Sequence, residues 1–393
     1  MSPPGLADLV AERSIVICCG SGGAGKTTVS AAIALAGAEA GRSTCVVTID
    51  PARRLADALG LGSLDNVPRR IEGPFPGSLH AVMLDAKGTF DDLVRTYAAG
   101  DDQAERILSN RLYRNLTSAL SGTQEYMAAE KLYELNASGE FDLVVVDTPP
   151  TRNALDFLDA PGRLTRFLEN RVFRLLLMPT RASLRALTLA TQTLLRTISK
   201  VAGSEIVDDA VAFFRAFEGM ESGFSERAER VEQLLGDPGT AFVLVAAPRR
   251  DSVAESGFFA DRLAEAHQPV SALVINRLHP RFDQLGASAA VEQVGGRDGE
   301  GGGEGLSKEE AAGVLADLRR NYAELESLAE REEGLVAAIG DKVAGPVVRV
   351  PFLDEDVHDL AGLGIVAGYL VGGLRRADDL AERPESADPP EGR

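Results

Sequence analysis

The segment from Gly20 to Thr28 limits the possible folds of this chain more than any other feature. It reads G-S-G-G-A-G-K-T-T, which satisfies the pattern G-x-x-x-x-G-K-S/T of loops that hold nucleotide phosphates. An apolar run rich in β-branched residues (14–20) precedes it, and an alanine-rich helical segment (28–40) follows it. This order of strand, glycine loop and helix is the context that the pattern requires, and it disfavours a chance glycine turn.

Each residue type in this loop has a chemical role toward a phosphate. Glycines let successive backbone N–H groups turn inward around phosphate oxygens, and the following helix adds its positive N-terminal end. Lys26 is expected to reach the β- and γ-phosphate oxygens, and the Thr27 hydroxyl is expected to ligate Mg²⁺. The predicted phosphate-binding residues are Gly20, Ser21, Gly22, Gly23, Ala24, Gly25, Lys26, Thr27 and Thr28.

Further apolar runs predict a parallel sheet. They comprise residues 43–49, 141–146, 241–246, 270–275 and 347–350, and helical patterns separate them. Continuous apolar strands that alternate with helices are typical of a mostly parallel sheet covered by helices on both faces. Together with the glycine loop, these runs predict an α/β fold of the P-loop NTPase type with an inserted helical subdomain.

Two acids follow predicted strands and are candidate carboxylates for the metal. Asp50 follows the run at 43–49, and Asp147 follows the run at 141–146. Ligands of α/β sheets bind at the carboxyl ends of the strands, and a phosphate loop needs a carboxylate on the metal side. We therefore predict a Mg²⁺ site of Thr27, Asp147 and Asp50, with both carboxylates acting mostly through water. The alternative for either acid is a helix N-cap.

The pattern along the chain predicts one large domain. Residues 1–13 form an N-terminal extension, and residues 14–376 form the P-loop domain. Helical spacing of apolar residues indicates insertions at about 91–135 and 163–235, for which ordinary packing helices are the alternative. A Gly/Glu-rich loop at about 294–306 and an acidic tail at 377–393 are predicted to be disordered, with partner binding as the alternative role.

The charge balance excludes several classes of protein. Among 393 residues, 41 are Lys or Arg and 59 are Asp or Glu, which gives a net charge of −18. Such a chain is not expected to bind nucleic acid or to lie on a membrane through a polybasic surface. The three cysteines, Cys18, Cys19 and Cys45, lie in apolar β-type runs, so we predict buried thiols in a reducing compartment.

The sequence has no apolar segment typical of a secretion signal or a membrane span, so we expect a cytoplasmic chain. Residues 1–14 contain acids and lack the apolar core of a secretion signal. The longest weakly charged stretch, Leu360 to Leu374, has about fifteen residues, whereas a membrane span needs roughly twenty. We expect this stretch to form a buried helix.

In its motifs, the chain resembles the family of the arsenite-transporting ATPase subunits and of the related ATPase that guides tail-anchored membrane proteins. Residues 22–28 are similar to the family's K-G-G-x-G-K-T-T loop, and residues 50–57, with Asp50-Pro51-Ala52, Leu55 and Asp57, resemble its first switch. Residues 147–161 resemble its second switch over a long and specific match. Val274-Ile275-Asn276-Arg277 is similar to its V-N-Q strand end, and Val350-Pro351-Phe352 is similar to its M-P-L segment. The resemblance extends in order from about residue 14 to about residue 360.

This resemblance implies ATP and Mg²⁺ as cofactors. By the resemblance, Asp50 orients or activates the attacking water and Asp147 holds the Mg²⁺ shell, so Lys26 and Asp50 are the predicted catalytic residues. Asn276 is implied to read the adenine base, with Pro351 on the other side of it. From its residue type alone, Asn276 is equally consistent with a strand-terminal cap.

Several positions depart from the family pattern. Ser21 stands where the family has a lysine that reaches the phosphates of the other subunit, and a serine cannot supply that charge. Arg53, Arg54 and Arg152 are candidates to replace it, with solvent exposure as the alternative. The C-x-x-C that joins two subunits through zinc is absent, and His80, His267, His279 and His358 have no ligand spacing, so we expect no zinc.

The resemblance implies that a chain with a single phosphate loop is half of a two-site assembly, because the arsenite-transporting subunits join two homologous halves in tandem. The expected partner is a second copy, or a paralogous ATPase that carries the intermolecular lysine. We expect a cytoplasmic ATPase that couples ATP hydrolysis to a client protein or an anion pump, with a position at the membrane beside such a pump as one alternative. A nucleotide-gated binding or regulatory subunit with little hydrolysis is the second hypothesis. A positioning ATPase is the third, and the acidic C-terminal end disfavours it.

Overall fold

The computed structural model describes residues 5–50, 54–111, 113–114, 123–149, 159–162, 209, 212–213, 215–281 and 308–372. Some sequence predictions lie outside these residues and stay predictions. They concern Arg53, Arg152, residues 163–208 of the second insertion, the Gly/Glu-rich loop and the acidic tail.

The centre of the described structure is an eight-stranded sheet. Its order is β3-β4-β2-β5-β1-β6-β7-β8, and every neighbouring pair is parallel except β3 and β4. The strands are β1 (Ile15–Gly20), β2 (Ser43–Thr48), β3 (Arg69–Ile71), β4 (Ser78–Met83), β5 (Leu143–Asp147), β6 (Thr240–Ala246), β7 (Val270–Leu278) and β8 (Val347–Pro351). The predicted α/β fold with a mostly parallel sheet is confirmed.

Helices cover both faces of this sheet. They are α1 (Leu6–Glu12), α2 (Lys26–Glu39), α3 (Arg54–Ala58), α4 (Ala86–Tyr97), α5 (Asp101–Leu108), α6 (Thr123–Ala137), α7 (Glu221–Leu235), α8 (Arg250–Glu265), α9 (Lys308–Gly340) and α10 (Leu360–Leu370). Side chains alternate between the faces of a strand, so a strand covered on both sides must be apolar throughout. In β1, Val16 and Cys18 pack toward the layer that contains α2 and α10, whereas Ile15, Ile17 and Cys19 pack toward the layer that contains α6 and α8.

Two strands are absent from the sequence predictions. β4 pairs parallel to β2, and the three-residue β3 pairs antiparallel to β4 at the edge of the sheet. Three of the six residues of β4 are buried and the other three are partly buried. β3 begins with the exposed Arg69 and Arg70. An edge strand such as β3 needs neither a continuous apolar run nor great length, and half of the residues of β4 are only partly buried, so neither strand has the apolar run that predicts a buried strand.

The helices between residues 86 and 137 pack with α7 around an aromatic cluster. This cluster contains Tyr113, Tyr126, Phe213, Phe217 and Phe224, and Phe90 stacks on Tyr113 with ring centroids 5.4 Å apart. Apolar stripes at helical spacing therefore face a core in this part of the chain. The division into a domain with two insertions stays a prediction.

The weakly charged stretch near the C-terminal end forms the helix α10, which is shorter than predicted. Leu363, Val366, Ala367 and Leu370 are buried, whereas Ile365 on the opposite side is exposed. Of the helices in the described ranges, none has the length and apolar content needed to cross a bilayer.

The three cysteines are buried free thiols, as predicted. Burial raises the pKa of Cys19 and of Cys45 to about 12, and it also raises the pKa of Cys18. Because the thiolate is the reactive form, we expect none of the three to be alkylated in the native protein at pH 8, and all three to be alkylated in denaturant. Mass spectrometry after brief iodoacetamide treatment measures this difference. Labelling of a native thiol within minutes would contradict the burial described here.

Candidate functional site

A cavity of about 550 Å³ opens at the carboxyl ends of the parallel strands. The glycine loop lies at one side of it, with Gly23, Gly25, Lys26, Thr27 and Thr28 in its wall. Asp50, Arg54, Thr148, Asn276, Pro351 and Phe352 line other parts of the wall. A cavity of this size falls within the usual range for small-molecule sites, roughly 300–1,000 Å³. The sheet order β2-β5-β1 explains why residues distant in the sequence meet here.

The glycine loop turns sharply from β1 into α2. Helix α2 begins at Lys26, two residues before the predicted start of the helical segment, and Gly25 is its N-cap with φ of 86°. The positive φ favours glycine at position 25, and a Cβ there would lie 2.2 Å from the Asn276 Nδ2 atom, so that side chain would have to move. The first N–H groups of α2 therefore face the cavity without a side-chain cap, which is the arrangement that binds phosphate.

Lys26 is buried at the base of the loop. Its Nζ atom donates hydrogen bonds to the carbonyl oxygens of Gly20 (3.1 Å) and Ser21 (2.9 Å). Burial lowers the pKa of Lys26, while the charge of Asp147 acts in the opposite direction. A phosphate oxygen would offer this ammonium group a stronger, charge-assisted partner than a carbonyl oxygen.

Asp147 links the loop to the neighbouring strand. Its Oδ2 atom accepts hydrogen bonds from the hydroxyls of Thr27 (2.8 Å) and Thr48 (2.9 Å). The residue is only 1% exposed, and its Oδ1 atom has no hydrogen-bond partner among the described residues. Burial raises the pKa of Asp147 to about 6, although both hydroxyls and the charge of Lys26 act to lower it.

The residues around Asp147 fit a magnesium ion. Mg²⁺ prefers oxygen ligands and usually binds proteins through one or two carboxylates together with several waters. The Thr27 hydroxyl and the unpartnered Oδ1 atom of Asp147 supply such oxygens. Nowhere in the described ranges, this site included, do three His, Cys, Asp or Glu side chains gather in a metal-binding group, so protein oxygens here would have to be joined by water and phosphate oxygens. The expectation about zinc stays a prediction.

Asp50 lies at the same edge of the sheet, two residues after β2. Its backbone N–H donates to the Thr48 hydroxyl (3.3 Å), and its Oδ2 atom lies 3.4 Å from the Arg54 Nη1 atom. The Asp50 side chain is 16% exposed and the Arg54 side chain is 62% exposed, so this ion pair faces the cavity rather than the core. Three arginines are candidates to replace the missing intermolecular lysine, and Arg54 is the one of them that lies within the described residues. It contacts Asp50, the predicted catalytic acid.

Ser21 does not face the cavity. It is 2% exposed, and its hydroxyl shares a hydrogen bond with the Ser252 hydroxyl at the start of α8 (2.5 Å). The Ser252 oxygen also accepts the backbone N–H of Ala247 (2.9 Å). The side chain at this loop position therefore fastens the loop to the turn between β6 and α8 of its own chain.

Asn276 and Pro351, at the ends of β7 and β8, line the cavity. The Asn276 Nδ2 atom donates to the carbonyl oxygen of Ala24 (2.9 Å), which joins β7 to the glycine loop. Phe352 and Arg277 also line the cavity, and neither was a predicted site residue. Arg277 has φ of 63°, which is uncommon for a residue other than glycine. The hydroxyl of Thr48 was missed as well, although its place two residues before Asp50 could have indicated it.

Comparison with known proteins agrees with the motifs. A family model described as anion-transporting ATPase matches residues 13–292. The chain is 30% identical over 167 residues to the ATPase GET3 of Chaetomium globosum, and over 171 residues to the corresponding proteins of Aspergillus terreus and Ajellomyces dermatitidis. Each match covers 42% of this chain and 48% of the relative, so the chain spans about half the length of the curated relatives it matches. Because the family model covers well over half of its residues, the chain belongs to the anion-transporting ATPase family.

Proposed function

We propose that the chain hydrolyses ATP to ADP and inorganic phosphate in the presence of Mg²⁺. In this reaction the oxygen of a water molecule forms a bond to the γ-phosphorus, and the bond from that phosphorus to the β–γ bridging oxygen breaks. The bridging oxygen keeps the electron pair and leaves with ADP. The proton of the water passes by way of the Asp50 carboxylate to the phosphate product.

The proposal assigns each part of this work to residues of the cavity. The N–H groups of the loop and the first turn of α2 hold the phosphates, and Lys26 neutralises charge on the transferred group. Thr27 and Asp147 would hold the Mg²⁺ shell, and the ion would supply positive charge that offsets the negative charge of the phosphates. Asp50 orients the water, and Asn276 and Pro351 flank the base.

One observation carries the proposal. Hydrogen bonds connect Thr27 of the loop, Asp147, Thr48 and the backbone of Asp50 in an unbroken series. These residues come from three separate parts of the chain, and they bring together a glycine loop and Asp50 in the cavity wall with the buried carboxylate of Asp147 beside them. That combination has a direct use in phosphoryl transfer.

Release of phosphate from ATP tests the proposal. We expect Mg²⁺-dependent release by the purified chain, and a loss of roughly 100-fold or more in Lys26→Ala, because this substitution removes a charge that the transition state needs. Excess EDTA should have a similar effect. Lys87→Ala is the matched control, since Lys87 is an exposed lysine on α4 that pairs with Asp91. Equal rates in Lys26→Ala and the native chain would overturn the proposal and indicate a contaminating phosphatase.

We further propose that the active assembly is a dimer, either of two copies or of this chain with a paralogous ATPase. The buried contact between Ser21 and Ser252 supports the heterodimer, because this loop position cannot reach a second subunit. A lysine-bearing partner would then complete the site of this chain. Turnover should be slow alone and rise on addition of such a partner. If the chain alone matches the mixture in turnover, the heterodimer is excluded.

The same contact favours a second candidate function, a nucleotide-gated binding subunit with little hydrolysis of its own. A site without the intermolecular lysine is expected to bind ATP without efficient cleavage. Single-turnover hydrolysis distinguishes the two functions, because tight binding with almost no cleavage supports only the second. In either case we propose a cytoplasmic protein that acts on a client protein or an anion pump. A pull-down with ATP and the Asp50→Asn form would capture that partner.

A further inference from the structure

The peptide bond between Ile49 and Asp50 lies just beyond the regular part of the sheet. β2 ends at Thr48, and the backbone N–H of Ile49 still donates to the carbonyl oxygen of Asp147 in the adjacent strand β5 (3.1 Å). The next carbonyl oxygen and the next N–H both pair with side chains. The backbone that carries Asp50 therefore depends on side-chain contacts for its orientation.

Side chains hold this peptide bond from both of its polar groups. The backbone N–H of Asp50 donates to the Thr48 hydroxyl (3.3 Å). On the opposite side, the Gln124 Nε2 atom donates to the carbonyl oxygen of Ile49 (3.1 Å). Because a peptide group is planar, two hydrogen bonds to its N–H and C=O restrict rotation of the whole plane and fix the position of the Asp50 Cα atom.

Gln124 has no role in the chemistry proposed above. Thr48 already belongs to the hydrogen-bond series of the site, since its hydroxyl donates to Asp147 (2.9 Å). Gln124 is the second residue of α6, and it does not line the cavity. Its contact with the residue directly before Asp50 is therefore the route by which it can affect the reaction.

The helix α6 gives Gln124 a fixed base. Tyr126 and Met127, which follow it, are buried. One turn farther along, the buried Glu130 carboxylate accepts a hydrogen bond from the Arg227 Nε atom of α7 (2.7 Å). A side chain carried by a helix that is packed and paired in this way starts from a defined backbone position.

We propose that Gln124 is a positioning residue for the hydrolysis of ATP, and that it holds the Asp50 carboxylate in place through the carbonyl oxygen of Ile49. The inference rests on the proposed function, which assigns Asp50 to the attacking water. The Arg54 side chain that pairs with Asp50 is 62% exposed, and ion pairs with exposed partners favour one geometry only weakly. A displacement of about 1 Å at a reacting group can lower a rate roughly 100-fold, so control of the backbone at this acid has a large effect.

The experiment measures single-turnover hydrolysis of ATP with Mg²⁺, together with ATP affinity, on the full chain. Methionine is nearly as long as glutamine but has no N–H to donate. Gln124→Met should slow hydrolysis roughly tenfold and leave ATP affinity unchanged, because the contacts that hold the nucleotide are kept. Gln233→Met is the matched control, since Gln233 is an exposed glutamine of α7 outside the cavity, and it should change neither quantity.

A double-mutant cycle shows whether Gln124 acts through Asp50. Asp50→Asn removes the carboxylate that Gln124 is proposed to position, so adding Gln124→Met to it should cause little further loss of rate. A general structural role would lower the rate by the same factor with or without the carboxylate. Because Gln124 is exposed, its substitution is not expected to unfold the protein, and circular dichroism verifies this.

The contrary results differ in what they exclude. Hydrolysis at the native rate in Gln124→Met overturns this inference alone, and so does an equal loss in Gln233→Met. Losses that multiply in the double mutant, or ATP affinity that falls together with the rate, show a structural role and overturn the positioning as well. A native chain that binds ATP but does not cleave it in a single turnover overturns the proposed hydrolysis, and the inference falls with it.

Discussion

Replacement of Asp50 by asparagine is expected to lower the single-turnover rate of ATP hydrolysis by about 100-fold or more while ATP still binds. The amide has nearly the same shape and can still accept a hydrogen bond from Arg54, so the cavity wall should stay in place. What is lost is the negative carboxylate that orients the water and takes up its proton. Rapid-quench measurement with excess protein, together with ATP titration of the same sample, separates the two effects.

Asp92→Asn makes the matched control for this experiment. Asp92 is an exposed residue of α4, outside the cavity, and its substitution removes the same charge. It should leave both hydrolysis and ATP affinity unchanged. If Asp50→Asn hydrolyses ATP at the native rate, another group orients the water. If the native chain and Asp50→Asn both bind ATP but hardly cleave it, the nucleotide-gated binding subunit is the correct function.

Replacement of Gly20 by alanine is expected to lower the free energy of unfolding by about 3 kcal/mol, the upper part of the range for overpacked sites. Gly20 ends β1 with φ of 146°, and a Cβ there would lie 1.9 Å from the carbonyl oxygen of Val245. This neighbour is backbone of the adjacent strand β6, so it can move only if the pairing of β1 with β6 is disturbed. Urea denaturation with comparison of midpoints and slopes measures the loss.

The substitution Gly41→Ala distinguishes the steric clash of a new Cβ from the cost of a positive φ, because only the second is present at Gly41. Gly41 also has a positive φ, 87°, but a Cβ there would meet no atom within 4 Å. We expect a loss of about 1 kcal/mol at this position, since only the left-handed backbone is disfavoured. Equal losses at Gly20 and Gly41 would mean that the close approach of β1 and β6 at the loop is relaxed in solution.

The sequence predicts those parts of the fold that rest on local pattern. Buried central strands must be apolar on both faces, so β1, β2 and β5 are visible as continuous runs, and the carboxyl ends of such strands meet at one edge. This is why the sequence alone predicts that Asp50 and Asp147 lie near the glycine loop. Their roles, and those of the loop residues, stay predictions until the substitutions above are tested.

Other features depend on tertiary contacts that leave little trace in the sequence. The edge strand β3 and its neighbour β4 have no continuous apolar run, and the stack of Phe352 on His279 joins residues 73 positions apart. His279 has no ligand spacing in the sequence, and its partner Glu332 is one of many acids in α9. Only the packing of β7, β8 and α9 brings these three side chains together.

The Ser21 and Ser252 hydroxyls share a hydrogen bond, so a substitution at position 21 also affects Ser252. A lysine introduced at position 21 alone would enter a space that is closed by α8, and it would leave the Ser252 hydroxyl without its partner from the loop. The effects of substitutions at two such contacting positions are not additive. For the proposed heterodimer, a single mutation at position 21 would therefore be a poor route to a self-sufficient subunit, and the coupling of the two positions would preserve dependence on the partner.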